Sequence, residues 1–248
     1  MNVIYVLWLR ELRRYTRSRS QIVASLGQPF LYLVALGFGL GPVFEKAGQG
    51  SYVQFIAPGV MAMTVLFSSV FSGVGLLWDR QLGFLKETLV APVPRFQIML
   101  GRTLGAATVA VVQGLLVVVV CFIAGFRIVN AATAPLALIF LLLIACVFSA
   151  LGTAIGSVLQ NIQGFQLIMN FLVLPIFFLS GALYPLNNLP KVFSAITSID
   201  PLTYGVDALR TTLIGVAHYG IAIDAAVLAI LATILLFIGS RLFARVQA

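Results

Sequence analysis

The sequence predicts an all-α membrane protein. It has six transmembrane helices, an N-terminal amphipathic helix and short re-entrant outer helices before the last span. Three observations predict this. Between Arg127 and Lys191 there is no Asp, Glu, Lys or Arg, and further charge-free runs separate Arg19 from Glu45, Lys46 from Asp79, Arg102 from Arg127 and Asp224 from Arg241. A helix crosses ~30 Å of hydrocarbon with ~20 apolar residues at 1.5 Å each. Of 248 residues, 61% are hydrophobic and 9% charged, with a mean hydropathy of +1.09, where soluble domains carry roughly 25% charged residues. The basic residues, finally, cluster on one side of the predicted spans.

Residues 1–19 form the first element. At helical spacing Ile4, Leu7, Trp8, Leu12 and Tyr15 share one face, and Arg10, Arg13, Arg14 and Arg17 share the other. Trp8 suits the headgroup level, and Arg13, Arg14 and Arg17 suit anionic lipid, which makes membrane lipids a partner. Glu11 falls among the apolar residues, where Arg14 or a partner protein can pair it. The charges at Arg10, Glu11, Arg13 and Arg14 replace the apolar core that a cleavable signal peptide needs.

The spans follow near residues 22–42, 56–78, 103–125, 135–158, 166–185 and 223–241. The polar segment from Glu45 to Gly50 separates the first two. The break Gly125-Phe126-Arg127 follows the third, and Gln160-Asn161-Ile162-Gln163-Gly164 makes a tight turn between the fourth and fifth. Gly101 and Gly105, Gly152 and Gly156, and the cluster Gly37, Gly39 and Gly41 have the small-residue spacings that allow close helix packing.

The stretch 79–102 between the second and third spans is too long for a simple turn. Phe84, Leu85 and Leu89 give a short helix an apolar side, Lys86 and Glu87 a polar one, and Pro92 and Pro94 stop it. Such a helix suits docking on a soluble partner or lying flat on lipid.

Residues 187–222 hold two short outer helices. Asn188 is placed as N-cap of the first, with Pro190 near its first turn. Asp200 is placed as N-cap of the second, with Pro201 at its first position. Asp207 and Arg210, three apart, can pair.

Orientation follows from charge. With the N-terminus inside, Arg10, Arg13, Arg14, Arg17, Arg19, Arg80, Lys86, Arg95, Arg102, Arg241 and Arg245 are all cytoplasmic, and Lys46, Arg127, Lys191 and Arg210 lie outside. Both termini are then cytoplasmic. This topology accounts for the net charge of +8, so no nucleic-acid partner is called for. The length suits one membrane domain over residues 1–248, with no room for a separate soluble catalytic domain.

Several chemistries lack their residues. Lys46, Lys86 and Lys191 are followed by Ala, Glu and Val, so no G-x-x-x-x-G-K-[ST] phosphate loop exists. His218 is the only histidine, which leaves a metal site or histidine-based catalysis nothing to build on. Cys121 and Cys146 lie within apolar runs and read as unpaired buried thiols. The spans carry no clear charge near mid-membrane, which disfavours a proton-coupled carrier.

Three stretches carry a family resemblance. They are Gly83-Phe84-Leu85-Lys86-Glu87-Thr88-Leu89-Val90-Ala91-Pro92-Val93-Pro94 followed by Leu100-Gly101-Arg102, then Pro175-Ile176-Phe177-Phe178-Leu179-Ser180-Gly181-Ala182-Leu183-Tyr184-Pro185-Leu186, and Asp200-Pro201-Leu202-Thr203-Tyr204-Gly205-Val206-Asp207-Ala208-Leu209-Arg210. In order and placement they resemble the type 2 ABC exporter permeases, which include drug-resistance, nodulation-factor and polysaccharide or O-antigen export permeases. The first stretch looks most like the drug-resistance and nodulation type.

The resemblance implies a permease subunit of an ATP-driven exporter in a bacterial inner membrane. It implies a second permease copy, as a homodimer, and two copies of an ATP-binding subunit that hold ATP and Mg. This chain itself would be no enzyme and bind no cofactor. The substrate class implied is amphipathic or lipid-linked, a drug-like compound or a lipo-oligosaccharide. The coupling residues implied are Gly83, Phe84, Leu85, Lys86, Glu87 and Leu89. The outer helices help to close the exit, with Phe177, Phe178, Tyr184, Asp200, Tyr204, Asp207 and Arg210 as its residues. A stand-alone channel or carrier and an intramembrane enzyme are the rival classes.

Overall fold

A computed structural model describes residues 3–46, 51–84, 93–186 and 190–244. Among them every regular element is a helix, and the chain is an all-α membrane protein. The helices are α1 (Val3–Arg17), α2 (Arg19–Lys46), α3 (Tyr52–Phe71), α4 (Val74–Gln81), α5 (Arg95–Ile123), α6 (Ala134–Val158), α7 (Ile162–Leu179), α8 (Lys191–Ile199), α9 (Pro201–Ile214) and α10 (Ile221–Ala244).

Among the described residues six segments are long and apolar enough to cross a membrane: Ile22–Phe44, Tyr52–Gln81, Arg95–Ile123, Ala134–Val158, Ile162–Leu179 and Ile221–Ala244. All six match the spans expected from the charge-free runs. The third differs most at its start. It begins at Arg95 rather than near residue 103, because Arg95 and Arg102 find protein partners and need not lie in a loop. Residues 79–102 are therefore not one loop. Asp79 to Gln81 end α4, and 95–102 are the first turns of α5.

The second span, α3 with α4, is the centre of the bundle, with α5 and α6 packed against it. Its most apolar window is 72% buried, whereas α2, α7 and α10 each leave most of theirs on the outside. Between α3 and α4 the chain tightens. Gly73 N bonds Val70 O, and Leu76 N bonds Gly73 O, both three residues apart, as in a 3₁₀ turn. Here α6 comes closest. A Cβ at Gly156 would sit 2.7 Å from the Gly73 carbonyl oxygen, and one at Gly152 would meet the Val70 carbonyl. The Gly152/Gly156 spacing thus marks a backbone-to-backbone contact. Gly101 and Gly105 do the same for α5 against α1, where added Cβ atoms would meet Ile4, Leu7 and Glu11.

The first amphipathic face is confirmed in kind and corrected in target. Leu7 and Tyr15 are buried against the bundle, and Trp8 Nε1 donates to Thr108 Oγ1 at 3.0 Å, which ties Trp8 to α5. Arg13, Arg14 and Arg17 remain exposed.

Candidate functional site

Two polar constellations stand out, one at each end of the bundle. The first lies at the arginine-rich end, where α1 meets α4 and α5. Asp79, only 4% exposed, sits on the last turn of α4. Its Oδ1 accepts from Arg10 Nη2 of α1 at 2.5 Å, and its Oδ2 accepts from Arg102 Nη2 of α5. One carboxylate thus ties three helices. Arg14 pairs with Glu11 at 3.4 Å, as the sequence suggested. Arg80 donates to the carbonyls of Leu159 at 2.6 Å and Ser157 at 3.1 Å, closing the end of α6, and Arg95 donates to the Ala244 carbonyl at 2.9 Å. Guanidinium groups at helix C-termini satisfy carbonyls that lack an intrahelical partner.

After the Leu82 C-cap of α4, Gly83 takes a φ of +80°, and Phe84 next to it is about half exposed. Leu85, Lys86, Glu87 and Leu89, the other expected coupling residues, lie outside the described residues. Beside the cluster a cavity of about 930 Å³ opens between α1, α2, the α3–α4 span and α5. Arg10, Arg14, Tyr15, Asp79 and Phe84 line it toward this end, and Phe67 and Gln113 line it deeper.

The second constellation lies at the opposite end. Asp200 caps α9, accepting from Leu202 N at 2.9 Å, with Pro201 at the first helical position, as predicted. Pro190 is itself the residue before α8 rather than part of its first turn, and Asn188 lies outside the described residues. At the far end of α9, Gly215 takes φ of +77° and donates to the Arg210 and Thr211 carbonyls, ending the helix.

The expected Asp207–Arg210 ion pair does not form. Arg210 instead donates to the carbonyls of Gly181 at 2.8 Å and Ala182 at 3.2 Å, and its guanidinium lies 3.9 Å from the Phe55 ring centroid. Asp207 accepts from His218 N at 2.8 Å and Tyr219 N at 2.7 Å. Each residue pins a different connecting segment onto α9, and backbone partners outcompete the local pair.

Tyr204 OH donates to the Ser198 carbonyl at 2.7 Å, and its ring lies 4.9 Å from that of Tyr219. Tyr184 OH donates to the Leu179 carbonyl at 3.2 Å. Phe177 is buried and touches the rings of Tyr32, Phe67 and Phe178. Phe178 points outward and stays half exposed. The structure thus gathers Asp200, Tyr204, Asp207 and Arg210 on α9 and its cap, with Phe177 in the bundle core and Phe178 on its surface.

Electrostatics differ along and beside α9. Burial pushes the Asp200 carboxyl up to about 7, against the Leu202 N–H bond that favours its ionised form. Burial pulls Arg210 down to about 10, while Asp207 acts in the other direction. Burial also raises the Tyr204 and Tyr219 phenols.

Sequence reasoning missed two groups. Arg102 was assigned to a cytoplasmic loop and is 6% exposed. Asp224 falls just inside the expected last span, 223–241, where no role was foreseen for it. It is fully buried in the first turn of α10, and neither carboxylate oxygen has a partner among the described residues. The available signal was its place: an acidic residue just inside an apolar run, where a helix N-terminus favours it.

Comparison with known proteins fits this architecture. The chain is 25% identical over 246 residues to nodulation protein J of Rhizobium leguminosarum bv. viciae, covering 96% of this chain and 93% of that one. It is 27% identical over 224 residues to nodulation protein J of Rhizobium meliloti (strain 1021), covering 88% and 85%. It is 27% identical over 216 residues to the inner membrane transport permease YadH of Escherichia coli (strain K12), covering 85% and 82%. The ABC-2 type transporter family matches residues 2–214, and this chain belongs to that family.

Proposed function

We propose that the chain is the membrane subunit of an ATP-driven exporter that moves an amphipathic or lipid-linked substrate outward. Family membership across residues 2–214 is the observation that carries this reading. In it, two permease copies meet in the membrane and two ATP-binding subunits dock at the arginine-rich end, which is cytoplasmic. ATP and Mg bind to those subunits.

The ion-pair cluster supports residues 79–89 as the place where force enters. Asp79 opens that segment and holds Arg10 of α1 and Arg102 of α5. Displacement of the segment therefore pulls on both helices. At the other end, α8 and α9 with the Arg210 and Asp207 anchors act as the exit closure.

Co-purification tests the reading. The tagged permease, extracted from its own membrane, brings down an ATPase with a phosphate-binding loop in near one-to-one ratio. A permease that purifies alone and conducts solute in vesicles without ATP overturns it in favour of a channel or carrier.

A further inference from the structure

The cavity of about 930 Å³ beside Asp79 has two chemically different ends. Its volume falls in the range of ~300–1,000 Å³ that holds a drug-sized ligand. Arg10, Arg14 and Tyr15 stand at the arginine-rich end. Pro29, Phe67, Phe71 and Trp78 provide apolar wall, and Gln113 stands at the deep end. Gln113 lies eleven residues beyond Arg102 on α5, about 16 Å along the axis. That is roughly half of the ~30 Å hydrocarbon layer.

One buried polar group on this wall, the Tyr15 hydroxyl, has no partner among the described residues, in a side chain 6% exposed. A buried polar group left unsatisfied costs ~1–3 kcal/mol, so a ligand that bonds it is favoured. Gln113, 4% exposed, also lines the cavity and has an amide that can donate and accept. Arg10, Arg14, Glu11 and Asp79 line the mouth, and Arg102, outside the lining, pairs with Asp79 as a third guanidinium against the two carboxylates. Arg10 and Arg14 each engage a carboxylate through Nη2. A guanidinium has five N–H donors, so others remain for an oxyanion. The Arg14 guanidinium lies over Gly75, where any Cβ would come within 2.8 Å of Nη2. The glycine leaves the room it occupies.

We propose that this cavity, within a single subunit, binds a single-tailed anionic amphiphile from the leaflet at the arginine-rich end. Its phosphate- or carboxylate-class head group is held by Arg10, Arg14 and the Tyr15 hydroxyl. Its tail runs along Phe67 and Phe71, and Gln113 bonds a polar linkage in the tail. The inference deepens the export reading and rests on it for naming the leaflet cytoplasmic. The binding chemistry does not depend on that reading.

The test uses dodecyl phosphate carrying a diazirine near its chain end, cross-linked to the purified permease in nanodiscs and mapped by mass spectrometry. Labels are expected on α3 and α5 between Met63 and Phe67 and around Gln113. A matched trimethylammonium amphiphile should label these positions about tenfold less, the worth of one charged hydrogen bond or more. Arg14→Gln and Tyr15→Phe should each lower labelling several-fold. Tyr15→Phe keeps the ring that packs α1, so its fold is safe if that of Arg14→Gln is not. Equal labelling by both head groups, or labelling indifferent to both variants, overturns the site, as do labels spread evenly over outward positions such as Phe237.

Two sources share this chemistry. Native mass spectrometry distinguishes them: a phospholipid retained through purification and displaced by dodecyl phosphate marks a resident lipid. A specifically labelled but lipid-free cavity marks an exported solute. Either supports the site. The ATPase is absent from this experiment, so its failure leaves docking untouched, and failed co-purification leaves the labelling intact.

Discussion

At the scale of single residues, Asp200 shows how one carboxyl serves two opposed demands. As N-cap it accepts from Leu202 N, but its Oδ2 is buried without a partner among the described residues. Its carboxyl is pushed up to about 7 by burial. The folded state therefore binds the proton more tightly than the unfolded chain. The stability linked to this group is fully present below the ordinary carboxyl range, near 4, and is lost as pH rises through about 7. Each unit of difference is worth ~1.4 kcal/mol. Thermal melting in nanodiscs should thus fall between pH 5 and pH 8.5, and Asp200→Asn should flatten that slope. Asp200→Ala should lose ~0.5–2 kcal/mol of cap at low pH. A wild-type profile that matches Asp200→Asn would remove Asp200 as the titrating group. The cap was legible in the sequence because Asp-Pro acts locally. The partners of Asp207 and Arg210 were not, because they are backbone groups of residues 181–182 and 218–220 brought in by the tertiary fold.

At the scale of helices, run length and small-residue spacing carried far. All six spans lie where charge-free runs placed them, and Gly152 and Gly156 mark the contact of α6 with the α3–α4 turn. A Cβ at Gly152 would stand 2.9 Å from the Val70 carbonyl carbon. Backbone cannot yield as a side-chain tip can, so Gly152→Val should cost ~1–3 kcal/mol or more, read as a lower melting temperature. The reach of α5 down to Arg95 was not legible, because a basic residue looks like a loop until its partner is known. Asp79 is that partner for Arg102. Asp79→Ala leaves Arg102 buried and unpaired, which should cost ~3–5 kcal/mol. Asp79→Leu combined with Arg102→Met should recover much of the loss. If the double variant is no more stable than Asp79→Ala, the pair is not what holds α4 to α5.

At the scale of the whole molecule, the fold separates two ends joined by a tightly packed centre. The basic residues Arg10, Arg80, Arg95 and Arg102 make their contacts at one end, and Arg210 makes its own at the other. The positive-inside rule favours the proposed orientation, in which the first end is cytoplasmic. A cysteine probe at Val129, in a background lacking Cys121 and Cys146, should react from outside and one at Arg17 from inside; the reverse pattern inverts the topology. In the proposed exporter, work done by the ATP-binding subunits would enter at the arginine-rich end through a contact surface. Residues 79–89 qualify on two grounds. They begin at Asp79, whose carboxylate holds α1 and α5, and they continue through Phe84, an aromatic side chain about half exposed beside the cavity. Aromatic anchors tend to dominate interface energetics. Glu87 adds a charge whose worth depends on its burial in the complex. Phe84→Ala and Glu87→Arg should leave the permease inserted and its melting temperature within a few degrees of wild type. ATP hydrolysis should then be uncoupled from export, or the ATPase released, with a loss of ~2 kcal/mol or more of docking energy at a true anchor. Transport and substrate-stimulated hydrolysis, measured together in reconstituted vesicles, give the answer. Wild-type values for both variants would take residues 79–89 out of the mechanism and return them to the lipid surface.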